Sequence, residues 1–416
     1  MKHLIIGNGI AGISTAETIR KNRPADEIVL ISDENEPPYM RANLSRYVMN
    51  LIPIEKMRLK DDDWFHQNSI EQISGRAIRI LSKERKIVYL KDEQEQTASF
   101  DRLCIAAGAK PNRLKIPGHG LSGVTVYRSL EDADRIKEQL GRARRMAVIG
   151  GGVLGMEAAE IAVRHKLPCA VLQRGFIGKP LLDKKTSEIL MRRITGEDGV
   201  HEKGVQVILD DAPQEFIGEN GKLKAIRLAS GREWPCDMVV LCIGVSADAA
   251  LFEDSGLEFD RCLIVNERQQ TNLPDIYGAG DCAAHPDENG RLTPTRTWSV
   301  SRIQGKTAGL NMCDIPHKMF DDGPIQNASH LFDIPYAVIG EFNASGENHD
   351  IISSRPDEFS YRKIVFRDHR VVGALLMGDR RGKKEMLQLT TNKIKITSDA
   401  DKKNLLDPAF DFKGMV

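Results

Sequence analysis

Closely spaced cysteines are missing from this chain. Its seven cysteines stand singly at positions 104, 169, 236, 242, 262, 282 and 313, and no two of them form a CxxC or CxxxxC pair. A compact metal cage or a local redox disulfide needs such spacing, so we expect neither. Isolated cysteines are typical of small core residues in a reducing cytoplasm.

An excess of charge and a long apolar run are also missing. Lys and Arg together number 59, as do Asp and Glu, which argues against binding to bulk nucleic acid or to an acidic membrane. No run of about 18 apolar residues is present to cross a bilayer. A strand-like segment follows Met1 almost at once without a charged leader, so we expect no signal peptide and a cytoplasmic location.

Two segments of the chain share one pattern: an apolar strand, a glycine-rich turn, a helix and a second apolar strand. They cover residues 2–32 and 147–172. The apolar runs predict βαβ units with buried parallel strands. After the second segment, strands over 205–209 and 223–228 are expected to form a hairpin. A chain of 416 residues has room for two or three such domains.

The first glycine turn is typical of dinucleotide binding. Gly7 permits the tight turn, Gly9 lets backbone amides approach a pyrophosphate, and Gly12 lets helix and strand pack closely. The phosphates then lie at the helix N-terminus. Asp33 and Glu34, at the end of the second strand, offer carboxylates to the adenosine ribose. The whole turn reads Gly7-Asn8-Gly9-Ile10-Ala11-Gly12.

The second segment repeats this turn after the strand over 146–149, as Gly150-Gly151-Gly152-Val153-Leu154-Gly155. One such site is typical of a dehydrogenase. Two sites in one chain indicate FAD facing a nicotinamide dinucleotide, because hydride needs a donor and an acceptor in contact. The sequence therefore predicts an α/β oxidoreductase with two Rossmann-like domains, which takes hydride from NADH or NADPH.

Three further motifs, with the two turns, resemble those of the two-dinucleotide-binding flavoprotein reductases. Within that superfamily the chain is most similar to rubredoxin and ferredoxin reductases, apoptosis-inducing factor and the flavin module of assimilatory nitrite reductase. Residues 371–379 resemble their C-terminal domains more loosely. The motifs are Pro38-Tyr39-Met40-Arg41-Ala42-Asn43-Leu44-Ser45-Arg46, Ala106-Ala107-Gly108-Ala109-Lys110-Pro111 and Tyr277-Gly278-Ala279-Gly280-Asp281-Cys282-Ala283.

The resemblance implies which residues contact the cofactors. Arg41 and Arg46 match basic positions that suit the pyrophosphate and the electron-rich flavin edge. Asp281 matches an aspartate that hydrogen-bonds the ribityl chain, and Trp298 lies where the family has an aromatic residue near the flavin pyrimidine. A core tryptophan is the alternative for Trp298. The other implied cofactor-binding residues are Ala77 at the adenine, Ala107, Gly108 and Gly244.

Glu157 is the residue that we expect to assist catalysis. It lies two positions after Gly155, where relatives place a glutamate that pairs with a lysine beside flavin N5. This sequence offers Arg46 in place of that lysine. Arginine keeps its proton at working pH, so Arg46 can orient and stabilise the reduced flavin but not act as an acid. An ordinary helix-surface carboxylate is the alternative for Glu157.

The choice between NADH and NADPH stays open. NAD-specific units usually end the second strand in a carboxylate that binds the 2′-hydroxyl, and here Gln173 and Arg174 stand there. Without the carboxylate a 2′-phosphate is not repelled, and Arg174 can pair with one. Gly155 and the resemblance to the nitrite reductase module favour NADH. We expect Gln173 and Arg174 to set the choice.

The lack of a cysteine in the first hundred residues limits the possible classes of electron acceptor. Disulfide reductases of the superfamily carry a cysteine near the flavin in their first domain, and here none precedes Cys104. A flavin accepts hydride and can release electrons singly. The expected partner is therefore rubredoxin, ferredoxin, or an iron–sulfur subunit of a larger aldehyde oxidoreductase or nitrite reductase. The alternatives are a redox-sensing interaction protein like apoptosis-inducing factor and an oxygen-reducing NADH oxidase.

We predict three domains from these patterns. Residues 1–112 and 247–324 form the FAD-binding domain, 113–246 the NAD(P)H-binding domain, and 325–416 a smaller α+β domain. The tail is expected to cover the flavin face opposite the nicotinamide and to dock an acidic carrier through a basic cluster. A solvated helix start is the alternative. The cluster consists of Arg380, Arg381, Lys383, Lys384, Lys393 and Lys395.

Overall fold

The computed structural model describes residues 1–196, 204–286, 290, 292, 294–319, 323–344, 346 and 349–415. The chain divides into two compact units. The first unit consists of Met1–Lys110 and Val245–Asp322, and the second consists of Pro111–Gly244 and Gly323–Val416. The C-terminal tail thus belongs to the same unit as the second glycine turn. The division into three domains stays a prediction.

Helices and strands of both units are named here in chain order. The helices are α1 (Ile10–Asn22), α2 (Leu44–Val48), α3 (Asp62–Gln67), α4 (Leu130–Leu140), α5 (Val153–Arg164), α6 (Lys184–Thr195), α7 (Trp298–Asn311), α8 (Lys383–Thr391) and α9 (Asp399–Asn404). The strands are β1 (Lys2–Ile6), β2 (Glu27–Ser32), β3 (Ile70–Ser74), β4 (Arg76–Leu81), β5 (Lys86–Lys91), β6 (Gln94–Ser99), β7 (Arg102–Ile105), β8 (Lys110–Pro111), β9 (Val124–Val126), β10 (Met146–Ile149), β11 (Cys169–Gln173), β12 (Gln206–Leu209), β13 (Pro213–Glu219), β14 (Lys222–Leu228), β15 (Glu233–Pro235), β16 (Met238–Leu241), β17 (Val245–Ser246), β18 (Leu263–Ile264), β19 (Ile276–Gly278), β20 (Ala283–Ala284), β21 (Gln326–Leu331), β22 (Ile334–Gly340), β23 (Asp350–Ser354), β24 (Tyr361–Arg367) and β25 (Arg370–Met377).

A parallel sheet in the order β19–β7–β1–β2–β3 forms the centre of the first unit. Its register pairs Leu4 with Val29 on one side and with Leu103 on the other. Both faces of the sheet are buried, as a parallel sheet requires. Side chains of α1 and α7 pack on one face, and side chains of the antiparallel β4–β5–β6 sheet pack on the other.

Two glycines bring helices α1 and α7 of the first unit into close contact. A Cβ at Gly305 would lie 2.2 Å from the carbonyl oxygen of Ala11, and one at Gly309 would lie 2.7 Å from the Cβ of Thr18. The hydroxyl of Thr15 also donates to the carbonyl of Gly305 at 3.0 Å. The helices therefore run side by side. At 1.5 Å per residue, α7 starts about 10 Å before Gly305, beyond the start of α1.

The second unit contains another parallel sheet, in the order β12–β11–β10–β16–β9. The predicted hairpin between residues 205–209 and 223–228 is wrong. Strand β12 lies parallel to β11, with Val207 opposite Val171, and β14 pairs instead with β13. The short apolar run of β12 suits a buried parallel strand as well as a hairpin strand. Residues 213–219 are mostly polar, so the sequence did not predict the strand that they form, which pairs with β14.

The tail forms an antiparallel sheet of its own, in the order β21–β22–β25–β24–β23. Its core contains Ile364 and Phe366 from the sheet and Met386 and Leu389 from α8. Strands β24 and β25 meet in a tight turn whose two central residues have positive φ, as hairpins with a right-handed twist require. The turn spans residues 367–370.

The first hairpin of the tail is bonded to helices of the nucleotide fold within the second unit. Its turn residues, Phe332 and Asp333, have φ values of 49° and 63°. The backbone N–H of Phe332 donates to Oε2 of Glu160 at 3.2 Å, and its carbonyl accepts from Nε of Arg193 at 3.2 Å. Asp333 pairs with Arg164 at 3.1 Å. These contacts hold a buried aromatic residue in a backbone conformation that it rarely adopts.

Candidate functional site

The first glycine turn combines tight packing with open space. A Cβ at Gly7, where φ is +103°, would lie 2.3 Å from the carbonyl oxygen of Ala106. A Cβ at Gly12 would lie 1.9 Å from the carbonyl oxygen of Gly7. At Gly9 a Cβ would meet nothing within 4 Å. Gly7 and Gly12 are therefore required for packing, whereas Gly9 leaves room above the helix for a ligand.

The helices that follow the two glycine turns lack side-chain caps. Gly9 is the N-cap of α1 and Gly152 is the N-cap of α5, and at neither position does a cap side chain accept a hydrogen bond from the helix N–H groups. Side chains do cap other helices of the same chain, for example Ser129 at α4 and Asp183 at α6. Uncapped N–H groups with the positive end of the helix dipole suit an anion such as a pyrophosphate.

Five of the predicted cofactor-binding residues line a cleft in the first unit. Asp33 lies in it, and Glu34 does not. The sequence did not single out Arg76, Lys110 and Asp248, which also line it; Lys110 forms an ion pair with Asp248. Lys110 belongs to the same motif as Gly108, so the motif was the signal in the sequence that could have identified it. The five predicted residues in the cleft are Gly7, Asp33, Ala77, Ala107 and Gly108.

The carboxylate of Glu34 is bonded to its neighbours in the first unit. It accepts from the hydroxyl of Tyr39 at 2.9 Å and forms an ion pair with Arg41. Burial lowers the pKa of Arg41, but Glu34, Tyr39 and Asp281 outweigh it and hold the pKa above its usual value. Of the two carboxylates after β2, Asp33 is therefore the one that lines the cleft, whereas Glu34 positions Arg41.

Asp281 is held against the start of α1. A Cβ at Gly280, where φ is +81°, would lie 3.0 Å from the Cβ of Ala11. The backbone N–H of Gly280 donates to Oε1 of Gln304 at 2.8 Å, and the hydroxyl of Ser301 donates to Oδ1 of Asp281 at 3.3 Å. Helix α7 thus fixes a carboxylate beside the open helix end, where the resemblance expects a ribityl contact.

Trp298 and Arg46 also lie in the first unit. Trp298 is the first residue of α7, and its indole Nε1 is buried without a hydrogen-bond partner among the described residues. A buried N–H without a partner carries a free-energy cost that a bound acceptor relieves. Arg46 lies on α2 with an exposed side chain. The open turn, the cleft and the indole together fit FAD.

The second glycine turn repeats the first. A Cβ at Gly150 would lie 2.4 Å from the carbonyl oxygen of Cys242, and one at Gly155 would lie 1.8 Å from that of Gly150. At Gly152 a Cβ would lie 3.1 Å from the carbonyl oxygen of Lys179, its one neighbour within 4 Å among the described residues. Gly244, with φ of +90°, follows the neighbouring strand β16. Val153 and Leu154 open helix α5, so this turn fits a nicotinamide dinucleotide.

Glu157 lies among tyrosines that the sequence did not single out. Burial, and then the charge of Glu157, raises the pKa of both Tyr127 and Tyr336. Tyr127 follows β9 and Tyr336 lies on β22 of the tail, so the charge of this carboxylate acts on residues from both parts of the second unit. Arg46 belongs to the other unit, and its pairing with Glu157 stays a prediction.

The side chain of Gln173, at the end of β11, forms hydrogen bonds within the protein. Its Oε1 accepts from the backbone N–H of Gly151 at 2.8 Å. Its Nε2 donates to the carbonyls of Arg174 at 2.7 Å and of Phe176 at 3.4 Å. The amide thus joins the second glycine turn to the loop that follows β11. Arg174 extends from that loop with an exposed side chain.

The cysteines are poorly suited to thiolate chemistry. Burial raises the pKa of Cys104, Cys169, Cys236 and Cys282 to about 12. A thiol with such a pKa stays protonated near neutral pH, whereas the thiolate is the reactive form.

Residues 1–305 match the pyridine nucleotide-disulphide oxidoreductases. The chain belongs to this family. Residues 329–394 match the C-terminal domain of rubredoxin NAD⁺ reductase. Membership confirms the prediction of FAD and a nicotinamide dinucleotide as cofactors. Both glycine turns leave open helix ends, which is the arrangement that suits the pyrophosphate of a dinucleotide.

Two curated relatives illustrate the range of the family. The chain is 32% identical over 302 residues to the ferredoxin–NAD(+) reductase subunit of the benzene 1,2-dioxygenase system of Pseudomonas putida, covering 72% of this chain and 71% of that protein. It is 28% identical over 408 residues to nitrite reductase [NAD(P)H] of Bacillus subtilis (strain 168), covering 97% of this chain and 49% of that protein. The chain thus spans about half the length of the nitrite reductase.

The fold agrees with that of a solved reductase. The ferredoxin reductase for the CYP199A2 system from Rhodopseudomonas palustris superposes with a TM-score of 0.86 at 22% identity, covering 99% of this chain and 98% of that chain. This likeness confirms the predicted α/β fold with two dinucleotide-binding folds and a smaller C-terminal part. In the part of the chain that the structure describes, no helix has the length and apolarity needed to cross a membrane.

A valine at Gly9 should give a folded but colourless protein. Its Cβ would have no atom of the described residues within 4 Å, yet the side chain fills the space above the open end of α1. A valine at Gly12 should instead prevent folding, because its Cβ would lie 1.9 Å from the carbonyl oxygen of Gly7. Visible absorbance and circular dichroism distinguish these outcomes. A yellow Gly9→Val protein would contradict the placement of FAD.

Replacing Glu157 by alanine should slow reduction of the flavin without releasing it. We expect a loss of about 100-fold, the usual cost of misplacing reacting groups by about 1 Å. Anaerobic stopped-flow absorbance measures the rate, and the flavin spectrum measures FAD content. Glu138→Ala, which removes an exposed carboxylate from α4 of the same unit, is the control. Equal reduction rates for the two variants would exclude Glu157 from the reaction.

Proposed function

We propose that this chain takes hydride from NADH or NADPH onto FAD and passes the electrons singly to an iron–sulfur or rubredoxin-type protein in the cytoplasm. The acceptor is either a free carrier or a subunit of a larger oxidoreductase. The observation that carries the proposal is the presence of two open, uncapped glycine turns in one chain, one in each unit.

The residues of each unit have separate tasks in this proposal. In the first unit, Asp33 binds the adenosine ribose, Arg41 balances the pyrophosphate charge, and Asp281 orients the ribityl chain. In the second unit, the turn before α5 binds the nicotinamide nucleotide and Glu157 positions its reacting end. When bound, FAD accepts two electrons as hydride and releases them one at a time.

Several observations favour a one-electron protein acceptor over a disulfide. Burial keeps the pKa of four thiols near 12, so these cysteines do not supply a reactive thiolate. The names of two relatives point the same way: one is a ferredoxin–NAD(+) reductase subunit, and the other is the assimilatory nitrate reductase electron transfer subunit of Bacillus subtilis (strain 168). The chain covers 51% of the latter, so it fits a flavin subunit as well as a free reductase.

Anaerobic electron transfer tests the proposed function. The protein is first reduced with one equivalent of NADH and then mixed with a [2Fe–2S] ferredoxin, with rubredoxin, with a disulfide or with oxygen. We expect fast transfer to an iron–sulfur or rubredoxin acceptor and slow reaction with the other two. Fast oxygen consumption without a carrier would indicate an NADH oxidase instead. A flavin that NADH does not reduce would contradict the proposal as a whole.

The basic cluster of the tail offers a docking surface for an acidic carrier. Lys383 and Lys384 are the first two residues of α8, where positive charges oppose the helix dipole and cost stability. Arg381 differs from them because it pairs with Asp379, and its carbonyl accepts two hydrogen bonds from the buried Arg362 at 3.0 Å. Among the residues that the structure describes, neither lysine forms an ion pair or donates a side-chain hydrogen bond, so these two are the residues to vary.

Changing Lys383 and Lys384 to glutamate should slow transfer to the carrier. The reason is lost electrostatic steering, so we expect an effect of about tenfold at low ionic strength that shrinks as salt is added. Ferricyanide reduction should stay unchanged because a small acceptor needs no docking surface. The same charge change at the exposed Lys83 and Lys86 of the first unit is the control. Equal salt dependence for both double variants would exclude the cluster from docking.

A further inference from the structure

Tyr127 lies at the carboxyl edge of the parallel sheet of the second unit. It directly follows β9, whose last residue, Val126, pairs with Leu241 of β16. Leu241 in turn pairs with Ile149, the residue before the second glycine turn. Tyr127 is therefore level with the start of that turn, two strands away from it in the sheet.

The reacting half of the nicotinamide nucleotide is expected at this part of the sheet edge. A dinucleotide binds across the point where the strand order reverses, which here lies between β10 and β16. Its pyrophosphate lies at the start of α5 and its adenosine ribose at the end of β11, on one side of that point. The nicotinamide therefore extends to the other side, over the ends of β16 and β9.

The hydroxyl of Tyr127 is buried and has no hydrogen-bond partner among the described residues. The residue as a whole is only 1% exposed. A buried hydroxyl without a partner carries a free-energy cost that phenylalanine, with the same ring, would avoid. A tyrosine at this position therefore points to an acceptor that its hydroxyl meets during the reaction.

Glu157 carries the negative charge that acts on this hydroxyl. After the effect of burial, its charge raises the pKa of Tyr127, of Tyr336 and of Cys242. Glu157 is half-buried, so solvent still reaches it. A bound nicotinamide displaces water, and a carboxylate that loses water needs donors from the protein. Tyr336 differs from Tyr127 because its hydroxyl is already hydrogen-bonded to Ser329, opposite it on β21.

We propose that Tyr127 is a positioning residue for flavin reduction: its hydroxyl donates to the carboxylate of Glu157 when the nicotinamide nucleotide is bound. This hydrogen bond fixes the direction of the carboxylate that, in the proposed function, positions the reacting end of the nucleotide. The inference rests on that proposed function and adds to it a residue from the end of the edge strand β9. Tyr336 has no such part, because its hydroxyl is bonded within the tail hairpin.

Tyr127→Phe tests the proposal because it removes the hydroxyl and keeps the ring. Anaerobic stopped-flow mixing of the FAD-loaded protein with a series of NADH concentrations gives the limiting rate of flavin reduction and the apparent Kd of NADH. We expect the limiting rate to fall about tenfold, the scale of one hydrogen bond to a charged group, and the Kd to stay the same. Tyr336→Phe is the matched control and should keep the limiting rate of the unchanged protein.

Two further measurements distinguish positioning from a structural role. In a Glu157→Ala protein, adding Tyr127→Phe should have no further effect on the limiting rate, because the acceptor is already missing. Without nucleotide, the Tm of Tyr127→Phe should be no lower than that of the unchanged protein, because the hydroxyl has no partner in that state.

Three results would overturn the proposal. They are a limiting rate of Tyr127→Phe equal to that of Tyr336→Phe, a tenfold loss that persists in the Glu157→Ala protein, and a lower Tm without nucleotide. A raised Kd with an unchanged limiting rate would make the hydroxyl a ligand of the nucleotide instead. In each case NADH still reduces the flavin of the unchanged protein, so the proposed function would stand.

Discussion

The contact between the first and the last glycine of each nucleotide turn constrains the rest of the molecule. A Cβ at Gly12 or at Gly155 would lie within 2 Å of a carbonyl oxygen of its own turn. Only glycine lets the helix start this close to the strand, and the close start points its free N–H groups at the carboxyl edge of the sheet. The cleft of the first unit and the loop positions of the second unit both follow from that approach.

In the first unit, a second close contact completes the site. Gly305 allows α7 to lie against Ala11, the second residue of α1. That placement sets Gln304 and Ser301 where they hold the turn of Asp281. One carboxylate, Asp33, reaches the site from the end of β2, and another, Asp281, reaches it through α7. Two carboxylates that are far apart in the sequence are thus placed at one site.

Features that depend on contacts between residues close together in the sequence could be predicted from the sequence. Each glycine of a turn acts on neighbours a few residues away, so the turns and the fold class could be inferred from short patterns. The pairing of β12 could not, because a short apolar run fits either a parallel sheet or a hairpin. The positions of Tyr336 relative to Glu157 and of Lys179 relative to Gly175 could not be predicted either. Both depend on how a loop or the tail packs against the rest of the second unit. Gln173 was singled out correctly as a residue at the strand end, but its hydrogen bonds inside the protein were not foreseen.

The tail is joined to the nucleotide fold through the helix that carries Glu157. Glu157, Glu160 and Arg164 are spaced so that they lie on one face of α5. Glu160 and Arg164 bind the turn of the first tail hairpin, where Phe332 has positive φ at a cost of about 1–3 kcal/mol. Such strain persists only where surrounding contacts fix it. The position of Glu157 therefore depends on the tail as well as on the glycine turn, and its charge helps to raise the pKa of Tyr336 on the same hairpin.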